Sequence, residues 1–581
     1  MGCSMCGFAG IFDKLGTGSF ENKINCMTKA LSHRGPDEQK TWINKKEGIY
    51  LGFCRLSMVN ITDSSQPLID RKHCVAIMFN GEIYNTSILR QELLRNGVQF
   101  RTQGEVEVLL NLYLRYGASF FEKLDGMFSI CIIDWARHNV FLIRDRFGIK
   151  PLYYFEDNNS IVFASELKAI RACHQLEIDD GSIELYINYR FIPAPFTIYK
   201  NVKKLKAGEV FCYEKGQSYK RQYYSYNKVY EGREFSKAKF LEIVESDIQS
   251  TYSFSDVPIG IFLSGGIDSG IIASFIKKEL RTGPHSFCVD YASSYSTAES
   301  AVAQSIAREL GFYCNTNILQ DNIVQYINKI VYSMDEPFYS TVSPSTYFLA
   351  QNASKYVKGV LTGDGSDELV FGYKYLRSSL NTDDILGSYL QGISWLKYIA
   401  PEEILKEKVY SDESLRNIFF EDCYIPGQID ETLRRVELFK RLPDYHLARV
   451  DRLSMASGLE VRVPYLRNRY SEFMLSIPSK SFLQYNDAKG ILKNGMGELL
   501  PKTLKDITKK PFTAPTRQWI EKELKEDIYL TLTNSTLIDR AHLIRDRIES
   551  VLFSYSGKYE DVSNVWGIYL LLKWIEIDML I

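Results

Sequence analysis

A strand that runs straight into a glycine turn and then a helix constrains this chain more than any other stretch. Val257-Pro258-Ile259-Gly260-Ile261-Phe262-Leu263 reads as a buried strand and Ser264-Gly265-Gly266-Ile267-Asp268-Ser269 as the turn, with Ile271, Ile272, Ala273 and Ile276 forming a buried helix face. Such a unit belongs in an α/β layer with a parallel sheet. It also forms an anion nest: glycines let the backbone approach, helix-end amides point outward, and Ser264 and Ser269 add hydroxyl donors. The longer glycine run ending in Lys-Ser/Thr is missing, so this is not the loop that transfers a γ-phosphate.

At 581 residues the chain is too long for one core, and two large domains fit its length best. Its 70 Lys and Arg nearly cancel 71 Asp and Glu, so charge gives no reason to expect nucleic acid or an anionic membrane as a partner. No run of eighteen apolar residues and no secretory segment is present. Eleven unevenly spaced cysteines include one CxxC, Cys3 to Cys6, without a second pair to complete a zinc site. The expectation is a reduced, cytoplasmic protein.

The N-terminal half alternates in strand fashion at Cys74–Phe79, Phe128–Ile133 and Ile161–Ala164, and with helical spacing from Glu105 to Tyr116, where Gly117 stops it. Three groups there can carry chemistry. Cys6, in Cys6-Gly7-Phe8-Ala9-Gly10-Ile11, becomes a nucleophile beside its own activating amine if Met1 to Met5 are removed or translation starts at Met5. Asn80-Gly81, after a strand, offers an amide and an N–H to an oxyanion, or is a simple Asn-Gly turn. Arg55, in an apolar run, suits a substrate carboxylate or a structural salt bridge. The alternating charges of Arg144 to Tyr153 suggest a buried or interfacial ionic network. In the other half, Thr362-Gly363-Asp364-Gly365-Ser366-Asp367-Glu368 packs three carboxylates into one loop, either a solvated turn or a magnesium-holding and proton-handling loop.

Taken in order, these segments closely resemble the asparagine synthetase (glutamine-hydrolysing) family. The match includes His33-Arg34-Gly35-Pro36-Asp37, Arg55-Leu56-Ser57, Asn80 to Asn85, Arg144 to Tyr153, Ser165 to Lys168, Ser264 to Ser269, Val360 to Leu369, Val450 to Ala456, Gly458 to Leu466 and Asp487 to Leu492. The resemblance implies an α+β N-terminal-nucleophile αββα sandwich followed by an α/β adenine-nucleotide α-hydrolase-like domain with a parallel sheet and extra helices. It places a class II glutamine amidotransferase domain at 6–205, a linker or interface segment at 206–235 and an ATP-dependent synthetase domain at 236–530. A C-terminal helical extension follows at 531–581, where Trp566–Leu572 reads as a packed helix able to support a homodimer.

The family's roles fall on Cys6 as nucleophile, Asn80 and Gly81 as oxyanion hole, and Arg55, Asn80, Glu82 and Glu105 around glutamine. Phe262, Ser264, Gly265, Gly266, Asp268, Ser269, Thr362 and Gly363 would hold ATP. Asp268 and Asp367 would hold Mg2+, with Lys489 and Asp364 at the chemistry. The chain departs from the family at Glu105, where Asp grips the glutamine α-amino group, at Asp364, commonly Glu, and at Arg467, usually Asp.

What is implied is an amidotransferase that adenylates a carboxylate and amidates it with ammonia from glutamine, aspartate to asparagine being the leading reading. The alternatives are a sugar acid, specialised metabolite or peptide side chain as acceptor, and a non-catalytic binding or regulatory module.

Overall fold

The computed structural model describes residues 6–58, 65–225, 232–280, 283–291, 299–319, 323–505 and 514–580. The leader Met1 to Met5, and with it Cys3 of the CxxC spacing, lies outside them. The first strands are β1 (Cys6–Asp13), β2 (Glu38–Asn44), β3 (Ile49–Arg55), β4 (Leu68–Asp70), β5 (Val75–Ile83) and β6 (Gly126–Asp134). They continue as β7 (Asn139–Arg144), β8 (Tyr153–Glu156), β9 (Ser160–Ala164), β10 (Val202–Lys204), β11 (Glu209–Glu214) and β12 (Gln217–Gln222).

These strands form two six-stranded sheets, in the orders β10-β8-β9-β1-β3-β2 and β12-β11-β7-β6-β5-β4. Every ladder in them is antiparallel. The two-residue period of β1 explains their stacking. Cys6, Phe8 and Phe12 join a core with Ala76, Met78 and Cys131 of the other sheet, while Ala9 and Ile11 join Ile24 and Met27 of the helix Glu21–Ala30. Burying each large apolar side chain this way contributes roughly 2 kcal/mol. With Glu21–Ala30 on one sheet and Glu105–Tyr116 on the other, the layers read αββα.

Residues 206–235, expected as a linker, instead supply β11 and β12 to the second sheet. β12 is exposed along its whole length, so its polar composition carries no alternation to read.

The second half opens with the helix Lys237–Ser253, N-capped by Ser236. Its strands β13 (Ile259–Phe262), β14 (His285–Tyr291), β15 (Cys314–Leu319), β16 (Gly359–Leu361) and β17 (Glu460–Arg462) form a parallel sheet ordered β15-β14-β13-β16-β17. Helices surround it. The apolar run Trp566–Leu572, read from sequence as a possible dimer support, lies inside the chain within the helix Tyr559–Leu580. There a Cβ on Gly567 would meet Trp395 at 2.2 Å, and Tyr186 of the first domain donates to the Gly567 carbonyl at 2.8 Å. Near the end of that helix, Asp578 accepts from Arg171 at 3.2 Å and Tyr199 at 2.6 Å.

Ionic contacts join the halves elsewhere. Asp451 pairs with Arg34 at 2.8 Å and Lys150 at 3.3 Å, and Asp335 pairs with Lys168 at 2.7 Å, while Glu166 and Arg452 brace these contacts from within their own halves, Glu166 on Arg34 at 2.7 Å and Arg452 on Asp335 at 2.5 Å. The Arg144 to Tyr153 run thus does feed an interfacial network. Arg467 joins it by pairing with Asp125 at 2.8 Å and lying over the Tyr84 ring. Its reversed charge serves the domain contact. Among the described residues no helix is long and apolar enough to cross a membrane.

Candidate functional site

Strand register assembles the first site. Cys6 at the start of β1 is the ladder partner of Arg55 at the end of β3, and the Cys6 N–H donates to Asn80 Oδ1 on β5 at 3.1 Å. Arg34 Nε fixes the Cys6 carbonyl at 3.2 Å. Asn80 Nδ2 faces Ser129 Oγ at 3.4 Å. Gly81 has φ +139°, and a Cβ there would sit 1.9 Å from the Met127 carbonyl, so no other residue fits. The strand reading of Asn80-Gly81 replaces the turn reading, because both pair with β6. Arg55, nearly buried, lies 3.5 Å from Glu38.

Two acids complete this site. Glu82 Oε1 accepts from Arg462 of β17 at 3.0 Å, and Glu105 Oε1 accepts from Thr86 Oγ1 at 2.9 Å and the Ile83 N–H at 3.3 Å. The Oε2 atom of each is buried without a hydrogen-bond partner. Burial pushes the Glu105 carboxyl up to about 8 and, together with Glu460, drives Glu82 well above the usual range.

The second site lies at the C-terminal ends of β13 and β16, where parallel α/β sheets open to ligands. A cavity of about 290 Å³ is lined by Phe262, Ser264, Asp268 and Ser269 from the first loop and by Thr362, Gly363, Asp364 and Asp367 from the second. The glycine turn works as its sequence suggests. Gly265 has φ +77°, Ser269 Oγ receives the Ser264 N–H at 3.2 Å, and the Gly266 N–H donates to Ser264 Oγ at 3.4 Å. Gly363 permits the two loops to touch, since a Cβ there would lie 2.7 Å from Asp268 Cβ.

Lys489 ties those loops together. Its Nζ lies 2.8 Å from Asp268 Oδ1, 2.8 Å from Asp367 Oδ1 and 3.3 Å from Ser366 Oγ. Burial alone would lower its pKa, yet the two aspartates raise it above the ordinary lysine value, so the side chain stays cationic. Thr362 Oγ1 donates to Asp364 Oδ2 at 2.7 Å, and burial raises the Asp364 carboxyl. The aspartate and serine oxygens around the cavity form a hard donor set that suits Mg2+. Asp268 and Asp367 would hold it, each with a side chain still partly open to the cavity.

Several further residues wall the cavity. Glu299, pushed up to about 7 by burial and Asp290, and Glu368, pushed up to about 8 by burial and Asp367, both face the cavity. Tyr373 and Arg449 join them. Glu368, Glu437 and His446 bring ligand atoms within 4.8 Å of one another, but Arg441 already binds both Glu437 oxygens, at 3.0 and 3.1 Å. Glu368 belongs to the acidic loop singled out in the sequence, whereas Glu299, Tyr373 and Arg449 come from segments outside the quoted motifs.

Comparison with known proteins agrees with this two-site layout. Residues 5–224 match the family model described as glutamine amidotransferase domain, and residues 249–576 match the one described as asparagine synthase. Asparagine synthetase (glutamine-hydrolyzing) 1 of Bacillus subtilis is 29% identical, covering 99% of this chain and 97% of its own length. A putative asparagine synthetase (glutamine-hydrolyzing) 2 of Methanocaldococcus jannaschii is 30% identical over 79% of this chain and 100% of its own. A putative asparagine synthetase (glutamine-hydrolyzing) of Mycobacterium tuberculosis is 27% identical over 94% of this chain and 92% of its own. With a glutamine amidotransferase domain joined to an ATP-dependent ligase domain, the chain belongs to the asparagine synthase family.

Proposed function

We propose that this protein converts aspartate to asparagine, using ATP and the amide nitrogen of glutamine. The observation that carries the ATP-dependent half of the reading is Lys489, held as a buried cation between the glycine loop and the acidic loop at 2.8 Å from each aspartate, and aspartate as acceptor rests on the similarity to asparagine synthetases. Such a lysine is poised for the negative charge of a leaving pyrophosphate.

In the amidotransferase domain, Cys6 attacks the glutamine side-chain carbonyl, forms a thioester and releases ammonia; water then frees glutamate. Once Cys6 is the first residue, its nitrogen is an amine that can take the thiol proton, and Asn80 Oδ1 already holds that nitrogen at 3.1 Å. Asn80 Nδ2 and the Gly81 N–H stabilise the oxyanion, Arg55 receives the glutamine carboxylate, and Glu82 and Glu105 receive its ammonium.

In the synthetase domain, the Ser264–Ser269 loop seats the phosphates, and the aspartate carboxylate displaces pyrophosphate to form an acyl-adenylate. Bound Mg2+ supplies charge neutralisation there. Lys489 stabilises the separating charge. Asp364, its carboxyl raised by burial, accepts a proton as ammonia attacks and AMP departs.

The reading is tested by intact mass and product analysis with ATP, Mg2+, glutamine and aspartate. The expected result is a chain beginning at Cys6 that yields asparagine, glutamate, AMP and pyrophosphate. Pyrophosphate release with another carboxylate but not aspartate would replace the acceptor; no ATP turnover with any would leave a binding module.

A further inference from the structure

Arg462 is fully buried between the two centres and distributes its donors over three segments. Nε meets Glu460 on its own strand. Nη1 donates to the Thr251 carbonyl at 3.0 Å and the Phe254 carbonyl at 2.6 Å, at the end of the helix Lys237–Ser253. Nη2 donates to Glu82 Oε1 at 3.0 Å. Its main chain faces the other way: the Arg462 carbonyl accepts from the Thr362 N–H at 3.0 Å, and Thr362 lines the nucleotide cavity. One residue therefore touches the wall of both centres.

The charge around it is unbalanced. Glu82, Glu105 and Glu460 are fully buried, and each keeps an Oε2 atom without a hydrogen-bond partner. A buried carboxylate oxygen left unpaired is costly, and Arg462 already has its donors engaged. Glu82 directly follows Asn80-Gly81, so a cation arriving beside the oxyanion hole meets an acceptor that Arg462 holds by its other oxygen.

We propose that Arg462 is a positioning residue for glutamine: the synthetase domain completes the glutamine pocket by fixing Glu82, leaving Oε2 turned to the substrate ammonium. The inference rests on the reading of Asn80 to Glu82 as the glutamine site. It makes the amidotransferase domain incomplete by itself, because the guanidinium that orients its acid comes from β17. Lysine cannot substitute, since one ammonium does not span carbonyls and carboxylates in a planar fork.

The test is Arg462→Lys in the full chain, assayed with glutamine and separately with ammonium as nitrogen source. KM for glutamine is expected to rise about tenfold while ammonia-driven product formation is retained. In a Glu82→Gln background the same substitution should add nothing further, because Arg462 acts through Glu82. An unchanged glutamine KM, or an equal rise in both backgrounds, overturns the proposal. If Arg462→Lys does not fold, Glu460→Gln frees the guanidinium from its other carboxylate and is read the same way, with about a threefold rise expected and no rise overturning it. A wild-type enzyme that uses ammonium but never glutamine also overturns it, through the failure of the glutamine reading itself.

Discussion

The glutamine half and the nucleotide half of this molecule handle buried charge in different ways. At the first centre, Cys6, Arg55 and Asn80 to Glu82 come from rigid antiparallel strands, and carboxylates at Glu82 and Glu105 retain unpartnered oxygens. At the second, two glycine-containing loops at the ends of parallel strands are closed on each other by Lys489, which pairs with both Asp268 and Asp367. A site of the first kind gains its missing cation from the substrate. A site of the second kind already carries a cation, and must exchange lysine contacts for metal and phosphate contacts when it works.

The sharpest way to break this comparison is to remove a charge from the nucleotide half. Asp268→Ala should lower pyrophosphate release by about 10³-fold with either nitrogen source, since it strips Lys489 of a partner and removes a proposed Mg2+ ligand; retained release under ammonia would refute that role. Cys6→Ala should abolish glutamine-dependent product and spare the ammonia-dependent reaction, as product analysis will show. Loss of both in a folded variant would mean that the centres are not separable.

Smaller effects sharpen the contrast. Arg467→Leu should lower stability by about 3 kcal/mol in denaturant titration, because Asp125 is left buried without its ion pair, keeping only the Asn468 N–H, without altering acceptor preference. A changed preference would return Arg467 to the acceptor site. Smallest is a pH effect from Glu105, whose carboxyl is pushed up to about 8. Its raised folded-state value means that the native protein binds the proton more tightly than the unfolded chain. The associated stability is fully present below the ordinary carboxylate range and is lost as pH rises through about 8. Ionisation simultaneously improves the site for an ammonium, so glutamine KM should fall several-fold from pH 7 to 8.5. Glu105→Gln should flatten that dependence; an unaltered profile would assign it elsewhere.

Much of this was legible where the period of the chain matched the period of its surroundings. β5 and β6 alternate because one face meets the opposing sheet and the other meets helices, and Glu105–Tyr116 ends where Gly117 ends its apolar stripe. β11 and β12 were hidden for the converse reason: a short strand pairs with a fully exposed polar one, which presents no buried face to pattern the sequence. Lys489 is the extreme case. Its neighbours Asp487, Ala488 and Gly490 say surface, and only its match to a family motif marks it, because the two aspartates that bury its charge belong to remote loops. Arg462 shows the same limit, since Glu82 lies in another domain.

The helix Tyr559–Leu580 gives the assembly a direction in time. Its Asp578 ties down Arg171 and Tyr199, whose domain emerges far earlier during synthesis. In chain order this fastening follows those that Asp451, Arg462 and Arg467 make with the same domain. A growing chain can therefore dock its back half on the front half through Asp451, Arg462 and Arg467 before the Asp578 clasp is made, and the last helix locks a contact already begun.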